Sequence, residues 1–281
     1  MLELKNVTKT FGTFKALDGL TLTVPKGAVY GLVGPNGAGK STAIRHMTGV
    51  YRADSGSVTL GGEGVYENTK VKETIGYIPD EIFFFPTATL EDMRRYYKGL
   101  YPKFDDALFE RLKEIFKLPE KTPIRRYSKG MQKQAAFQLT LSCRPEVLIL
   151  DEPVDGLDPV MRRQVMSLIL ADVAERGVTV LISSHNLREL EDVCDHVGIM
   201  NHGKMLLEKS LADMQGGTHK LQIVGGGTGG PSRKQLRTAE DLYRPRFRCG
   251  NRHQGRSGKT GLFRCAASVS GRDLYLRTGR C

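Results

Sequence analysis

Leu2 and Leu4, and later Leu20, Leu22 and Val24, alternate with polar residues, the period-two pattern of half-buried antiparallel strands. Pro25-Lys26-Gly27 then forms a turn that delivers an apolar stretch, Ala28 to Val33, read as a buried strand. Gly56 to Gly64 is glycine-punctuated and strand-like, and Thr74 to Ile78 forms another short strand. From about Ile82 to Leu118 the pattern becomes helical. Thr89-Leu90-Glu91-Asp92 predicts a capping box, and Leu108, Leu112, Ile115 and Phe116 fall on one helix face. Val147 to Leu150 is continuously apolar, as in a strand buried on both faces. A helix from about Val160 to Ala174, a strand Val178–Ile182, a helix Leu187–Cys194 and strands near Val197–Met200 and Met205–Leu207 complete the pattern. Strands alternating with helices predict an α/β core with a parallel sheet. To it are added an antiparallel N-terminal β subdomain and a helical insertion of about residues 82–143.

Chemistry enters between the first buried strand and its following helix. Gly34-Pro35-Asn36-Gly37-Ala38-Gly39-Lys40-Ser41-Thr42 contains the pattern G-x-x-x-x-G-K-[ST] with a strand before it and a helix start after it. Such a loop turns successive backbone N–H groups toward phosphate oxygens, and the helix end adds its partial positive charge. Lys40 can reach the β and γ phosphates, and the Ser41 hydroxyl can ligate Mg²⁺. Asp151 and Glu152 follow the apolar strand directly, at the end where parallel sheets bind ligands. Asp151 is placed to hold the magnesium shell, and Glu152 to polarise a water aimed at the γ-phosphate.

The formal charge of +11 changes this picture little. Residues 225–281 hold 13 Lys and Arg against 3 Asp and Glu, whereas residues 1–224 hold 29 against 28. The main body is thus nearly neutral, and no specific nucleic-acid partner is expected. None of the five cysteines forms a CxxC pair or a zinc spacing. No basic start with an apolar signal core opens the sequence, and no apolar run reaches the ~18 residues of a membrane span. The expectation is a protein of a reducing compartment that meets a membrane only through a partner.

These motifs, in this order over residues 1 to about 215, resemble the ATP-binding subunit of an ATP-binding cassette (ABC) transporter. Three further segments carry the resemblance: Tyr127-Ser128-Lys129-Gly130-Met131-Gln132, Gly156-Leu157-Asp158-Pro159, and Ser183-Ser184-His185. The resemblance implies that Ser128, Lys129, Gly130 and Met131 form the signature that contacts ATP held by the opposite subunit. It implies that His185 contacts the γ-phosphate and that Phe11 lies against adenine. A second cassette and a separate transmembrane permease are the implied partners, ATP and Mg²⁺ the cofactors, and the inner face of the cell membrane the location. Ile82-Phe83-Phe84-Phe85 stands where the family receives its membrane subunit, although these rings can equally build the subdomain's own core.

Two departures stand out. Asp80 replaces the glutamine usual after the strand Ile75–Ile78, and as a carboxylate it can ligate Mg²⁺ but repels a bare γ-phosphate. Lys129 and Met131 replace the usual signature Gly and Gln. With Tyr101-Pro102-Lys103-Phe104-Asp105, they resemble a branch of small bacterial exporter cassettes. Leu221–Val224 reads as a strand, after which Gly225 to Gly230 opens an arginine-rich segment with sparse apolar residues. Residues 1–224 are therefore expected to form the ATP-binding domain, and 225–281 a disordered or non-native continuation. A soluble cassette ATPase acting on nucleic acid or ribosomes is the alternative, favoured only by that basic tail.

Overall fold

The computed structural model describes residues 1–210 and, beyond them, the backbone of three strands at 220–222, 264–269 and 272–277. The chain divides into two units, Met1–Ser210 and Leu211–Cys281. The division falls before the boundary at Val224 expected from composition.

Two sheets form the first unit. β1 (Leu2–Phe11) and β2 (Phe14–Val24) pair antiparallel with Leu2 opposite Val24 and Leu4 opposite Leu22. The alternating leucines therefore share one face, and all four residues are buried. β3 (Val29–Val33) is buried at every position and leads through the phosphate loop into α1 (Lys40–Met47). β4 (Ser55–Leu60) and β5 (Glu63–Gly64) complete a four-stranded sheet in the order β2-β1-β4-β5. A short α2 (Thr69–Lys72) precedes β6 (Ile75–Ile78).

The helical insertion holds α3 (Leu90–Leu100), α4 (Asp106–Phe116) and the start of α5 (Lys129–Ser142). Thr89 and Asp92 form the expected reciprocal capping box of α3. On α4, Leu108, Leu112 and Phe116 are buried on the face their spacing marks. Residues 82–88 are not helical, so the helical pattern begins later than Ile82.

β7 (Val147–Asp151), α6 (Pro159–Arg176), β8 (Thr179–Ser184), β9 (His196–Asn201) and β10 (Lys204–Ser210) return the chain to the second sheet. Its order is β10-β9-β3-β8-β7-β6, parallel from β9 to β6, with β10 antiparallel at one edge. The helix expected over Leu187–Cys194 is instead a 3₁₀ turn at Leu187–Glu189 followed by a separate turn. Asn186 caps the first turn through Arg188 N, and Leu190 and Cys194 fold down onto Gly31. A Cβ at position 31 would meet Leu190 Cδ1 at 3.0 Å, so docking onto the sheet competes with helical continuation in a segment too short to resist it.

In the second unit, β11 (Lys220–Gln222), β12 (Arg264–Val269) and β13 (Arg272–Arg277) form an antiparallel sheet. The strand expected at 221–224 matches β11 at Leu221 and Gln222, and the rest of that stretch lies outside the described residues. Of the segment 225–281, expected to lack order, only β12 and β13 are described. Their sequences carry a short period-two alternation, Cys265-x-Ala267-x-Val269 and Leu274-x-Leu276.

Candidate nucleotide site

Topology brings the chemistry together. β3, β8, β7 and β6 are adjacent and parallel, so the residues that leave their carboxyl ends share one edge of the sheet. β3 delivers Gly34–Thr42, β8 delivers His185, β7 delivers Asp151 and Glu152, and β6 delivers Asp80.

The phosphate loop depends on its glycines for space and for dihedral freedom. A Cβ on Gly34 would lie 2.5 Å from the Met200 carbonyl oxygen. Gly39, the residue before α1, has φ +102°, and a Cβ there would lie 2.8 Å from Ala16 O. Pro35, Asn36 and Gly37 are exposed, whereas Ala38 is buried. Lys40 is only 6% exposed, and its ammonium donates to Gly34 O at 2.6 Å. It also lies 3.3 Å from Glu152 Oε1. Ser41 and Thr42 are half-buried on the first turn of α1.

Glu152 is the hub. Its Oε1 faces Lys40, and its Oε2 accepts from the backbone N–H of His185 at 3.3 Å and lies 3.1 Å from His185 Nδ1. Its backbone has φ +47°, in the left-handed region unusual for a residue with a Cβ. Ser183 holds the peptide in place: Glu152 N donates to Ser183 Oγ at 3.0 Å, and that hydroxyl donates to Asp151 Oδ1 at 2.6 Å. On the other side, the Lys133 ammonium donates to the Glu152 carbonyl at 2.6 Å. The two acids and His185 thus sit in one hydrogen-bonded frame.

Sequence reasoning missed Lys133 and gave Ser183 no role of its own. The signal for Lys133 was a lysine one turn into a helix whose residues from Ala135 to Ser142 are all buried.

The remaining candidates sit around this frame. Asp80 is 54% exposed at its side chain, with Oδ1 lying 3.6 Å from Lys133 Nζ. Phe11 is exposed at the end of β1, edge-on to Tyr51 with 5.6 Å between centroids. Ser128 caps α5 by accepting from Met131 N at 3.3 Å, with Lys129 opening the helix. Gly130 packs against the loop after β7, where a Cβ would lie 2.8 Å from Gly156 O. Among the described residues, no hydrogen bond or ion pair joins Ser128–Met131 to Gly34–Thr42 of the same chain.

The insertion presents a second surface. Of the phenylalanine run, Phe84 is 7% exposed and belongs to the core, whereas Phe83 is 81% exposed and Phe85 also faces outward. Phe83 and Phe85 line a groove with Met93, Tyr96, Leu100 and Tyr101. Among the described residues, no helix is long and apolar enough to cross a membrane.

Residues 17–155 match the family model described as "ABC transporter". The chain is 33% identical over 224 residues to the ABC transporter ATP-binding protein YtrB of Bacillus subtilis, covering 80% of this chain and 77% of YtrB. The chain belongs to the ABC transporter ATP-binding proteins. It is the nucleotide-binding subunit of such a transporter, and its activity is ATP hydrolysis. The cassette is also 36% identical over 214 residues to the bacitracin transport ATP-binding protein BcrA of Bacillus licheniformis, with 74% of this chain and 69% of that one covered. A solved structure titled "Structure of ATP binding subunit of ABC transporter" superposes with a TM-score of 0.71 at 27% identity, covering 76% of this cassette and 92% of that chain. Cassettes of this family bind ATP and ADP and work as dimers with membrane subunits, typically associated with the cytoplasmic side of a membrane.

Proposed function

We propose that each candidate residue works as follows in an ATP-driven transporter. The phosphate loop, Gly34 to Thr42, binds the ATP phosphates with Lys40 as its cation, and Phe11 lies against the adenine. Glu152 accepts the proton of the attacking water, and His185 orients that water and the γ-phosphate. Ser128 to Met131 serve the nucleotide held by a second cassette, the α5 N-terminus adding partial positive charge. The support is the shared frame: the Lys40 ammonium and the His185 ring lie 3.3 Å and 3.1 Å from the two oxygens of one carboxylate, that of Glu152.

The donor set fits Mg²⁺. Ser41 and Asp151 offer hard oxygen ligands, and among the described residues the side-chain hydrogen bond to the Asp151 carboxylate falls on Oδ1. A Mg²⁺ held by Ser41 and Asp151 would supply positive charge to offset that of the phosphates. Asp80 is engaged with an ammonium, so Ser41 and Asp151 are the first candidates as protein ligands.

A separate transmembrane subunit is the proposed partner, docking on the groove beside Phe83 and Phe85, with the cassette on the cytoplasmic face of the membrane. A relative named for bacitracin transport supports a role in transport. The functional domain is proposed to comprise the first unit, since every candidate residue lies within it.

The composite site can be tested by mixing. Chains carrying Glu152→Gln and chains carrying Ser128→Arg should each lack phosphate release alone. Mixed, they form dimers in which one site has both an intact Glu152 and an intact Ser128, and activity should return. No gain on mixing, with both proteins shown to exchange subunits, would overturn the two-chain site.

A further inference from the structure

Lys133 lies on α5 and is 5% exposed, a depth at which a lysine requires acceptors for its ammonium. It has two. The Glu152 carbonyl accepts its proton at 2.6 Å, and Asp80 Oδ1 lies at 3.6 Å. These acceptors come from different strand ends, β7 and β6, so a single ammonium ties the signature helix to both.

We propose that Lys133 is a positioning residue for hydrolysis: it fixes the Glu152 peptide in its left-handed conformation and couples it to Asp80. The proposal rests on the reading of Glu152 as the base. The strained peptide at φ +47° has its N–H held by Ser183 and its carbonyl by Lys133, so losing either hold lets the chain relax toward an ordinary conformation. Relaxation rotates the Glu152 carboxylate away from Lys40 and His185. Asp80 has a matching role on the other side. Its carboxylate shares the Lys133 charge, so the acid that replaces the usual neutral amide does not face the nucleotide as an unbalanced negative charge. It also stands three residues before Phe83, where the outward-facing groove begins. The chain Phe83–Asp80–Lys133–Glu152 is therefore a physical link between the outward-facing rings and the hydrolytic carboxylate.

The experiment measures kcat and KM for ATP in the full-length protein carrying Lys133→Met, Lys133→Arg, Asp80→Asn and the Lys133→Met/Asp80→Asn pair. Glu152→Gln and thermal melting are run alongside. Lys133→Met should lower kcat by about tenfold to a hundredfold, the scale of misplacing a reacting group by about an ångström, while KM stays within about threefold. Lys133→Arg keeps a cation and should recover most of kcat. Asp80→Asn should lower kcat by about twofold to fivefold, as befits a half-exposed ion pair. In the Lys133→Met background it should have no further effect, because the coupling is then already broken. Unchanged kcat in Lys133→Met, or equal effects of Asp80→Asn in both backgrounds, overturns the proposal. If Lys133→Met does not fold, Asp80→Asn decides: a lowered kcat with KM little changed supports the link, and wild-type kcat overturns it. Normal turnover by Glu152→Gln instead removes the base, which is a failure of the underlying reading and not of this one.

Discussion

The ammonium of Lys40 lies 3.3 Å from Glu152 Oε1, so the cation of the phosphate loop and the carboxylate that ends the neighbouring sheet region form a buried ion pair. A phosphate entering the loop must draw Lys40 away from that carboxylate. Glu152→Gln removes the competing charge and the proposed proton acceptor together. Hydrolysis should fall by at least about a hundredfold, within the range for loss of a general base. ATP affinity should be equal to wild type or higher, and an ATP-bound dimer should accumulate on size-exclusion chromatography. Lys40→Ala should instead lose ATP affinity, measured by calorimetric titration. Weaker ATP binding in Glu152→Gln would show that the pair assists nucleotide entry and does not compete with it.

Ser183 is fully buried, and its hydroxyl serves both acids, accepting from Glu152 N and donating to Asp151 Oδ1. Ser183→Ala leaves a buried N–H and a buried carboxylate each short of a partner. The expected cost is about 1–3 kcal/mol of stability by chemical denaturation, with a matching fall in ATP turnover. A variant as stable and active as wild type would mean that water replaces the hydroxyl.

Much of this architecture was legible in the chain because its signals are local. The Gly34–Ser41 spacing, the apolar run before Asp151 and the Thr89 capping box each specify their own geometry within a few residues. What stayed hidden is the non-local part. Nothing near Lys133 in sequence reveals that its ammonium ends on the Glu152 carbonyl, nineteen residues away. Asp80 read as a free carboxylate because its partner comes from another element. Leu187–Cys194 carries apolar spacing fit for a helix, yet packing of Leu190 against Gly31 decides its shape. The phenylalanine run could not be divided between core and surface until the subdomain placed Phe84 inward and Phe83 outward.

Asp105 caps α4, accepting from Leu108 N at 2.9 Å, and pairs with Arg144 at 2.8 Å. The Leu108 N–H, followed by the Arg144 guanidinium, holds its pKa below the ordinary 3.8. The folded state then binds fewer protons here than the unfolded one. The resulting stability is complete well above pH 3.8 and is lost as pH falls through the lower folded-state value. Asp105→Ala should cost about 1 kcal/mol at pH 7, the usual loss for a helix cap. That difference from wild type should shrink below pH 3.8 in urea titrations. A gap that is constant with pH would assign the cost to packing alone.

Burial pushes the thiols of Cys143 and Cys194 up to about 12, so neither supplies thiolate near neutrality. In a variant carrying Cys249→Ser, Cys265→Ser and Cys281→Ser, a disulfide reagent at pH 8 should find no rapidly reacting thiol until denaturant is added. Fast reaction of the native protein would show that one of these sites opens locally.

Phe83 and Phe85 expose large apolar surface and line a groove at the edge of the helical insertion. Phe85 is braced edge-on against Tyr96, with centroids 5.3 Å apart, so the groove is pre-shaped by aromatic contacts. Phe83 lacks such cover and contributes little to the fold. Phe83→Ser should therefore leave the melting temperature and the ATPase activity of the isolated cassette almost unchanged. In the proposed dock with a membrane partner the same ring would be an anchor, and truncating a central aromatic contact costs about 2 kcal/mol or more of binding. Co-purification with a transmembrane partner subunit should fall sharply, while Phe84→Ser, which strikes the core, should lower stability first. If Phe83→Ser retains full co-purification and ATP-dependent transport, the docking surface lies elsewhere on the cassette.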